Sequence, residues 1–270
     1  MVIRFEELPS TNTYIKEHAG ELEPYTAVTA SFQSAGRGQR GNSWESEPGK
    51  NLLLSMLFVP PEHIVPARQF LISQAVSIGM LYSLAKLLVK YETPPVTVKW
   101  PNDIYIGDRK VAGILIENTI SAEGGIARSI VGVGLNVNQR VFRSDAPNPV
   151  SLIEFTGMEL DLREVAETVA DDMAMFLGGL KYCHEGSEAL GLLRSRYLAA
   201  LWRSGGFYPY VALKASAAPA PTAVWEGMPP KGDTFEAEIV EVASDGPVTM
   251  RLHDGSLRTF AFKEIAPVLS

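Results

Sequence analysis

Four short apolar segments follow one another between residues 96 and 137, and this succession constrains the fold more than any other feature. They span residues 96–100, 104–106, 110–120 and 128–137, and Gly107-Asp108 provides the turn between the second and the third. Strands of a parallel sheet need crossover connections of about a dozen or more residues. The connections here are shorter, so the sequence predicts an antiparallel or mixed sheet rather than a series of βαβ units.

Further strands and several helices are predicted around this region. Between residues 67 and 91, apolar residues recur at alternating steps of four and three, as on one face of a helix. Residues 162–182 and 188–202 are also predicted to be helical, and Ser10-Thr11-Asn12 offers side-chain oxygens suited to the start of a short helix. Strands are predicted at 2–7, 25–32 and 52–59. The sequence therefore predicts an α+β fold in which helices flank a mixed, largely antiparallel sheet.

The composition changes after Gly205. Residues 215–230 are rich in Ala and Pro, which is typical of a connecting segment. Three short strands follow at 234–242, 248–252 and 257–262, with Asp245-Gly246 and Asp254-Gly255 as hairpin turns. We predict a large domain at 1–214, which the motifs described below make the catalytic domain, a connecting segment at 215–230 and a small SH3-like β-barrel at 231–270.

Charge and cysteine content limit the class of protein. The net charge is −7, which argues against nucleic acid as a partner because such proteins usually carry a basic face. Cys183 is the only cysteine, so no intrachain disulfide can form and a cytoplasmic location is expected. The longest uncharged run, between Arg68 and Lys86, is judged too short and polar to span a membrane. The histidines lack metal-ligand spacing, so no protein-bound metal site is predicted.

The first of three candidate site motifs is Gly36-Arg37-Gly38-Gln39-Arg40-Gly41, followed by Asn42-Ser43-Trp44. Glycines allow the backbone to approach a ligand closely, and the arginines offer forked donors for a carboxylate or phosphate. The motif lacks the Gly-Lys-Ser/Thr ending of a phosphate-binding P-loop. Trp44 could stack on an adenine. The alternative interpretation is a solvated basic loop with a core tryptophan.

The second motif runs from Lys99-Trp100-Pro101-Asn102-Asp103 to Lys110 and on through Gly113 to Glu117. Lys110 begins an apolar strand and can place a point charge in a pocket for a carboxylate or an α-phosphate. The alternative is an ordinary hairpin with a Pro-Asn-Asp turn.

The third motif is Gly132-Val133-Gly134, followed by Asn136 and Asn138. Two glycines in one strand indicate that a ligand or another part of the chain comes close. A bulge or tight packing explains the pattern equally well.

Together with Ser10-Thr11-Asn12 and Gln33, these motifs resemble the biotin–protein ligase family in their order and spacing, over essentially the whole chain. The resemblance implies a catalytic domain related to class II aminoacyl-tRNA synthetases, followed by an SH3-like domain. It also implies ATP and Mg²⁺ as cofactors, biotinyl-5'-AMP as intermediate and a biotin carboxyl carrier protein as the acceptor partner. We expect a monofunctional ligase, without the N-terminal DNA-binding domain of some relatives, that is a monomer or a weak homodimer.

The resemblance also implies roles for individual residues. The catalytic residues would be Arg37, Lys110 and Asp103. The biotin site would comprise Ser10, Thr11, Asn12, Gln33, Gly36, Arg37, Gly38, Gln39, Lys110, Gly113 and Gly134. The nucleotide site would comprise Arg37, Arg40, Trp44, Asn102, Asp103, Lys110 and Asn136. Gln39 departs from the family because many relatives have a basic residue there, and we expect Arg40 to supply the missing charge.

Three other functions fit parts of this pattern. A lipoate–protein ligase shares the architecture but typically lacks the glycine-arginine loop. A DNA-binding regulator with biotin as corepressor would need a groove-reading element and a basic face. A non-catalytic biotin-binding module would not need Asp103 or the group of cations.

Overall fold

The computed structural model describes residues 1–144, 148–213 and 232–268, which divide into two compact units, Met1–Trp202 and Arg203–Ser270. The strands of the first unit are β1 (Val2–Leu8), β2 (Ala27–Gln33), β3 (Leu52–Phe58), β4 (Val96–Lys99), β5 (Asp103–Ile106), β6 (Arg109–Ile120) and β7 (Ile126–Leu135). Its helices are α1 (Thr11–His18), α2 (Phe70–Leu87), α3 (Ile153–Thr156), α4 (Leu162–Gly179) and α5 (Glu188–Ala199).

The first unit is built on a seven-stranded sheet with the order β1-β2-β3-β7-β6-β5-β4. β1 and β2 are parallel, while the other neighbouring strands are antiparallel. The segment 96–137 forms β4 to β7 as one antiparallel meander, because its short turns permit only that pairing. The predicted mixed, largely antiparallel sheet with flanking helices is therefore confirmed.

Helix α1 packs on one face of the sheet, and the residues on that face determine where the site lies. Residues paired directly across neighbouring strands point to the same face. Three rows are formed in this way across β3, β7 and β6: Leu53, Gly134 and Gly113; Ser55, Gly132 and Leu115; Leu57, Ile130 and Glu117. Ile15 of α1 packs with Val28, Leu57 and Ile130, which closes one end of this face as apolar core. The two rows that contain glycines lie beside that core, and their small residues leave space above the sheet.

α2 and α4 pack on each other and on the sheet. Gly79 of α2 allows a close approach, since an added Cβ would lie 3.4 Å from the carbonyl oxygen of Asp172. The segment Pro66–Leu87 is long and apolar enough by length and composition to cross a membrane, contrary to our expectation, but 61% of its apolar window is buried inside the protein. Its apolar composition is explained by this burial, because α2 packs against α4, α5 and several strands.

The second unit is an antiparallel five-stranded sheet with the order β11-β10-β9-β8-β12. Its strands are β8 (Tyr208–Ala212), β9 (Thr234–Val242), β10 (Val248–Leu252), β11 (Leu257–Phe260) and β12 (Ile265–Pro267). This is consistent with the predicted small β domain. The units divide at Trp202 rather than at residue 214, because β8 pairs with β9 and β12. The predicted connecting segment 215–230 lies outside the described residues.

Candidate active site

A cleft opens on the α1 face of the first unit, beneath the loop of residues 34–44, which we call the glycine-arginine loop. The cleft is walled by the start of α1, the end of β2, this loop and strands β3, β6 and β7. Its lining residues are Ser10, Thr11, Asn12, Gln33, Arg37, Gly38, Gln39, Trp44, Leu53, Leu54, Ser55, Asn102, Lys110, Gly113, Ile114, Leu115, Gly132, Val133 and Gly134.

Gly113 and Gly134 are directly paired on β6 and β7 and form the floor of the cleft. The indole of Trp44 lies on this floor: a Cβ added to Gly134 would be 2.4 Å from Cε2 of Trp44, and one added to Gly113 would be 2.9 Å from Cζ3. Gly132 makes room in the same way for Asn12, whose Oδ1 would be 2.3 Å from an added Cβ. The glycines of the third motif are therefore explained by the close approach of two side chains.

Four polar side chains, Thr11, Asn12, Gln33 and Ser55, form a continuous hydrogen-bonded set that we call the polar row. The backbone N–H of Thr11 donates to Oε1 of Gln33 at 2.7 Å, which satisfies a free N–H at the start of α1. The hydroxyls of Thr11 and Ser55 are 2.6 Å apart, and Ser55 donates to Oδ1 of Asn12. The side chain of Ser10 makes no capping hydrogen bond, so the predicted capping role passes to Gln33.

Arg37 and Glu117 form an ion pair between the glycine-arginine loop and β6. Nη2 of Arg37 donates to Oε2 of Glu117 at 2.8 Å, and Nη1 donates to Oε1 at 3.2 Å. Nδ2 of Asn12 donates to the same carboxylate at 2.7 Å. The cation of the loop is thus connected to the polar row through one carboxylate.

Lys110 and Asp103 form a second ion pair, with 2.7 Å between Nζ and Oδ1. Their side chains are 25% and 22% exposed, so both charges are largely withdrawn from water. Nζ of Lys110 is also 5.6 Å from the centre of the Trp44 ring. The neighbouring Asn102 donates its Nδ2 to the carbonyl oxygen of Ile114, which holds the turn before β5 against β6. Arg37 and Lys110 therefore place positive charge on two sides of the floor formed by Gly113 and Gly134.

Comparisons with known proteins agree with this geometry. A profile described as the biotin/lipoate A/B protein ligase family matches residues 4–136. The chain is 31% identical over 169 residues to the biotin–[acetyl-CoA-carboxylase] ligase of Paracoccus denitrificans, covering 61% of this chain and 68% of that protein. This chain belongs to the biotin/lipoate A/B protein ligase family.

Two further relatives support this assignment to the family. The chain is 39% identical over 161 residues to the bifunctional ligase/repressor BirA of Salmonella typhimurium, covering 59% of this chain. That match spans about half, 48%, of the Salmonella protein. A structure of biotin protein ligase from Aquifex aeolicus in complex with biotin and ATP has the same fold, with a TM-score of 0.74 and 23% identity over 100% of this chain and 99% of that chain.

The structure brings most of the predicted site residues of this family member together. Those that line the cleft are Ser10, Thr11, Asn12, Gln33, Arg37, Gly38, Gln39, Trp44, Asn102, Lys110, Gly113 and Gly134. Asp103 joins them through its ion pair with Lys110. Gly36 lines a second cavity beside the same loop. Arg40 lies in the short 3₁₀ turn Gln39–Gly41, and its side chain lies outside the described part of the structure.

Asn136 is a predicted site residue whose described side chain points away from the cleft. It follows the end of β7, is buried, and its Nδ2 donates to the carbonyl oxygen of Val150 at 3.1 Å. Strand alternation would place Asn136 on the same face as Gly134, but β7 ends at Leu135, so the alternation no longer applies to Asn136. In this structure Asn136 contacts the segment that follows the sheet rather than the cleft.

Two polar residues that contribute to the site, Ser55 and Glu117, were missed at the sequence level. Ser55 is the only polar residue in β3, whose other residues are apolar and buried, and this isolated hydroxyl was the available signal. Glu117 is the last residue of the second motif, and no sequence pattern predicts a role for it. Both make their contacts with residues distant in sequence, and local patterns do not reveal such contacts.

Proposed function

We propose that this protein is a biotin–protein ligase that forms biotinyl-5'-AMP from biotin and ATP and then transfers biotin to a lysine of a biotin carboxyl carrier protein. The observation that carries the proposal is the polar row, with Lys110 at the other side of the glycine floor. The ureido ring of biotin has two N–H donors and a carbonyl acceptor, and a buried polar row can satisfy such groups. The valerate carboxylate would then extend along the floor towards the cations, so the indole of Trp44, which lies on that floor in the ligand-free chain, would have to turn aside.

In the proposed first step, a carboxylate oxygen of biotin attacks the α-phosphorus of ATP, and the bond to pyrophosphate breaks. Both reactants are anions, so their approach is repulsive unless positive charge offsets it. Lys110 and Arg37 supply that charge from fixed positions in a partly enclosed cleft, where electrostatic stabilisation is strong. The indole of Trp44 lies on the floor near Lys110, and an adenine could stack on it once the ring turns.

The donor set fits a magnesium ion that arrives with the nucleotide. Among the described residues, no group of three His, Cys, Asp or Glu side chains is gathered to hold a metal by itself. Mg²⁺ usually binds through one or two carboxylates plus substrate phosphates, and Asp103 is a carboxylate at this cleft that could contribute. When bound, the ion would neutralise phosphate charge.

In the proposed second step, a neutral lysine amine of the carrier attacks the acyl carbon, and the bond to AMP breaks. Asp103 stands beside Lys110 and is our candidate to receive the proton of the incoming ammonium. The glycine-arginine loop would exclude water from the reactive mixed anhydride.

A lipoate–protein ligase of the same family is the alternative, and ring chemistry favours biotin. The dithiolane ring of lipoate has no N–H or carbonyl group to pair with Thr11, Asn12, Gln33 and Ser55. Buried polar groups left unpaired are costly, so a site of this kind should reject an apolar ring.

One assay tests the proposal. The protein is incubated with ATP, Mg²⁺, radiolabelled biotin and an acceptor carrier domain, and label on the carrier is counted. We expect labelling that needs ATP and that excess unlabelled lipoate does not suppress. Labelling of a lipoyl domain with radiolabelled lipoate, without labelling by biotin, would transfer the assignment to the lipoate ligases. Absence of both would refute a ligase.

A further inference from the structure

Glu117 lies beside the cleft, where it pairs with the lining residue Arg37, and the proposed reaction gives it no role. It lies on β6 on the same face as Gly113 and Leu115, because alternate residues of a strand share a face. Its side chain is 30% exposed and meets three N–H groups: two from Arg37 and one from Asn12.

The Asn12 contact fixes the orientation of this carboxylate. Asn12 is 4% exposed and lies against Gly132, where even a methyl group would overlap its Oδ1. That oxygen accepts from Ser55, so the amide N–H is directed towards Glu117. A buried and hydrogen-bonded amide therefore aims Glu117, and Glu117 in turn holds the loop residue Arg37.

The Arg37–Glu117 pair stands where two cavities meet. A second cavity beside the loop is lined by Gly36, Gly41, Ser43 and Glu117, among others. Arg37, Gly38 and Leu115 line both this cavity and the cleft. The ion pair therefore lies at the boundary between the ligand cleft and the second cavity.

We propose that Glu117 is a positioning residue that fixes the Arg37 guanidinium as the side wall of the cleft and anchors the glycine-arginine loop to β6. Arg37 retains further N–H donors for an anionic ligand, since a guanidinium has five and Glu117 takes two. The role rests on the proposed function only for the identity of the ligand. The anchoring itself is a property of the ligand-free chain.

The test is a double-mutant cycle in ligand-free protein, read by amide hydrogen exchange at residues 36–41. Glu117→Gln keeps the shape and removes the charge, and Arg37→Gln removes the partner. A bidentate pair at a partly exposed position should change exchange by about three- to tenfold. We expect each variant to speed exchange by that factor, and the double variant to exceed neither single variant, because both remove the same interaction.

A second readout measures retention of biotin. Glu117→Gln should raise the dissociation rate of radiolabelled biotin by a similar factor, with an unchanged thermal midpoint, and Glu117→Asp should lie between it and the wild type. The matched control is Glu167→Gln, which removes the exposed ion pair between Glu167 and Arg4 at 2.7 Å, away from the cleft. This control should alter neither loop exchange nor biotin dissociation.

The outcomes separate the two proposals. If the wild type does not bind biotin, the proposed function fails, and the exchange cycle still judges the anchoring role of Glu117. Unchanged exchange, additive effects in the double variant, or slower biotin dissociation from Glu117→Gln would each overturn the role. The last result would mean that Glu117 competes with the ligand for Arg37.

Discussion

Gly134 and Trp44 share a space that only a glycine leaves open. In Gly134→Ala the new Cβ would lie 2.4 Å from Cε2 of Trp44, so the indole must leave the floor of the cleft. Overpacking of this kind costs about 1–3 kcal/mol, and we expect a red shift of Trp44 fluorescence together with at least about fivefold weaker biotin binding. The shift is measured against the same substitution in a Trp44→Phe background, where it should vanish.

The control for this substitution is Gly191→Ala on α5, where an added Cβ meets nothing within 4 Å. It should leave biotin binding unchanged and raise the free energy of unfolding by about 0.5–1 kcal/mol, because alanine is favoured over glycine in a helix. Normal fluorescence and binding in Gly134→Ala would show that Trp44 does not depend on this floor.

Lys110 should be essential for the first chemical step. Its Nζ is 2.7 Å from Asp103 and stands at the cleft, so Lys110→Ala removes positive charge where two anions must meet. We expect ATP–pyrophosphate exchange to fall by about 10²–10³ or more while the circular dichroism spectrum is retained. Lys50→Ala, which removes an ion pair with Glu159, is the matched control. Near-normal exchange by folded Lys110→Ala would defeat the assignment.

At the scale of elements, the backbone hydrogen bonds described for residues 36–44 of the glycine-arginine loop are local. The N–H of Gly38 donates to the carbonyl oxygen of Asn42 at 2.6 Å, and the N–H of Trp44 donates to the carbonyl oxygen of Gly36 at 3.1 Å. Segments held in this way open at low free energy. We expect amide exchange at residues 36–41 to slow when biotin is added, because the ligand adds contacts across the loop. Exchange that is the same with and without biotin would contradict a closing lid.

The packing of α2 on α4 depends on one buried carboxylate. Asp172 of α4 is 4% exposed and accepts hydrogen bonds from Ser83 at 2.9 Å and from Lys86 at 2.6 Å, both on α2. Asp172→Ala should lower the free energy of unfolding in urea by about 1–3 kcal/mol, the cost of leaving a buried polar partner unpaired. Its exposed neighbour Asp171 is the control, and Asp171→Ala should change stability by less than about 0.5 kcal/mol. Equal effects of the two substitutions would count against this role.

At the scale of the whole molecule, stability should depend on pH through His63. Burial lowers the pKa of His63 below its ordinary value of 6.5, and the neighbouring His184 and Arg68 lower it further. The ring of His63, in the segment between β3 and α2, packs against the ring of His184, in the segment between α4 and α5. The ring centres are 4.0 Å apart and the planes are tilted by 37°. The unfolded chain therefore binds a proton more readily than the folded chain.

The sign of this pH dependence follows from linkage. The stability that His63 contributes is fully present above pH 6.5 and is lost as the pH falls through the lower pKa of the folded state. Urea unfolding between pH 8 and pH 5 should show a decline below about pH 6.5 that is reduced in His63→Gln. An identical decline in that variant would assign the effect to other groups.

Much of this molecule could be predicted from local sequence. The short turns between residues 96 and 137 force neighbouring strands to pair antiparallel, and the apolar periodicity of α2 sets its helical state. The three motifs were correctly grouped because their spacing resembles a known family, even though they are separated by many residues. The helix and strand ends differed from prediction by a few residues, as expected where periodicity fades.

The sequence by itself determined the antiparallel pairing between residues 96 and 137, the main helices and most of the polar residues that line the cleft, because turn lengths, periodicity and motifs are local properties. Only the tertiary structure decided that β1 pairs parallel with β2, that Asn136 turns to Val150, and that Ser55 and Glu117 contribute to the site. Each of these depends on contacts between segments that local sequence patterns do not bring together. These side chains meet their partners only once the strands have paired. Gly132 then leaves room for Asn12, and Gly134 leaves room for Trp44.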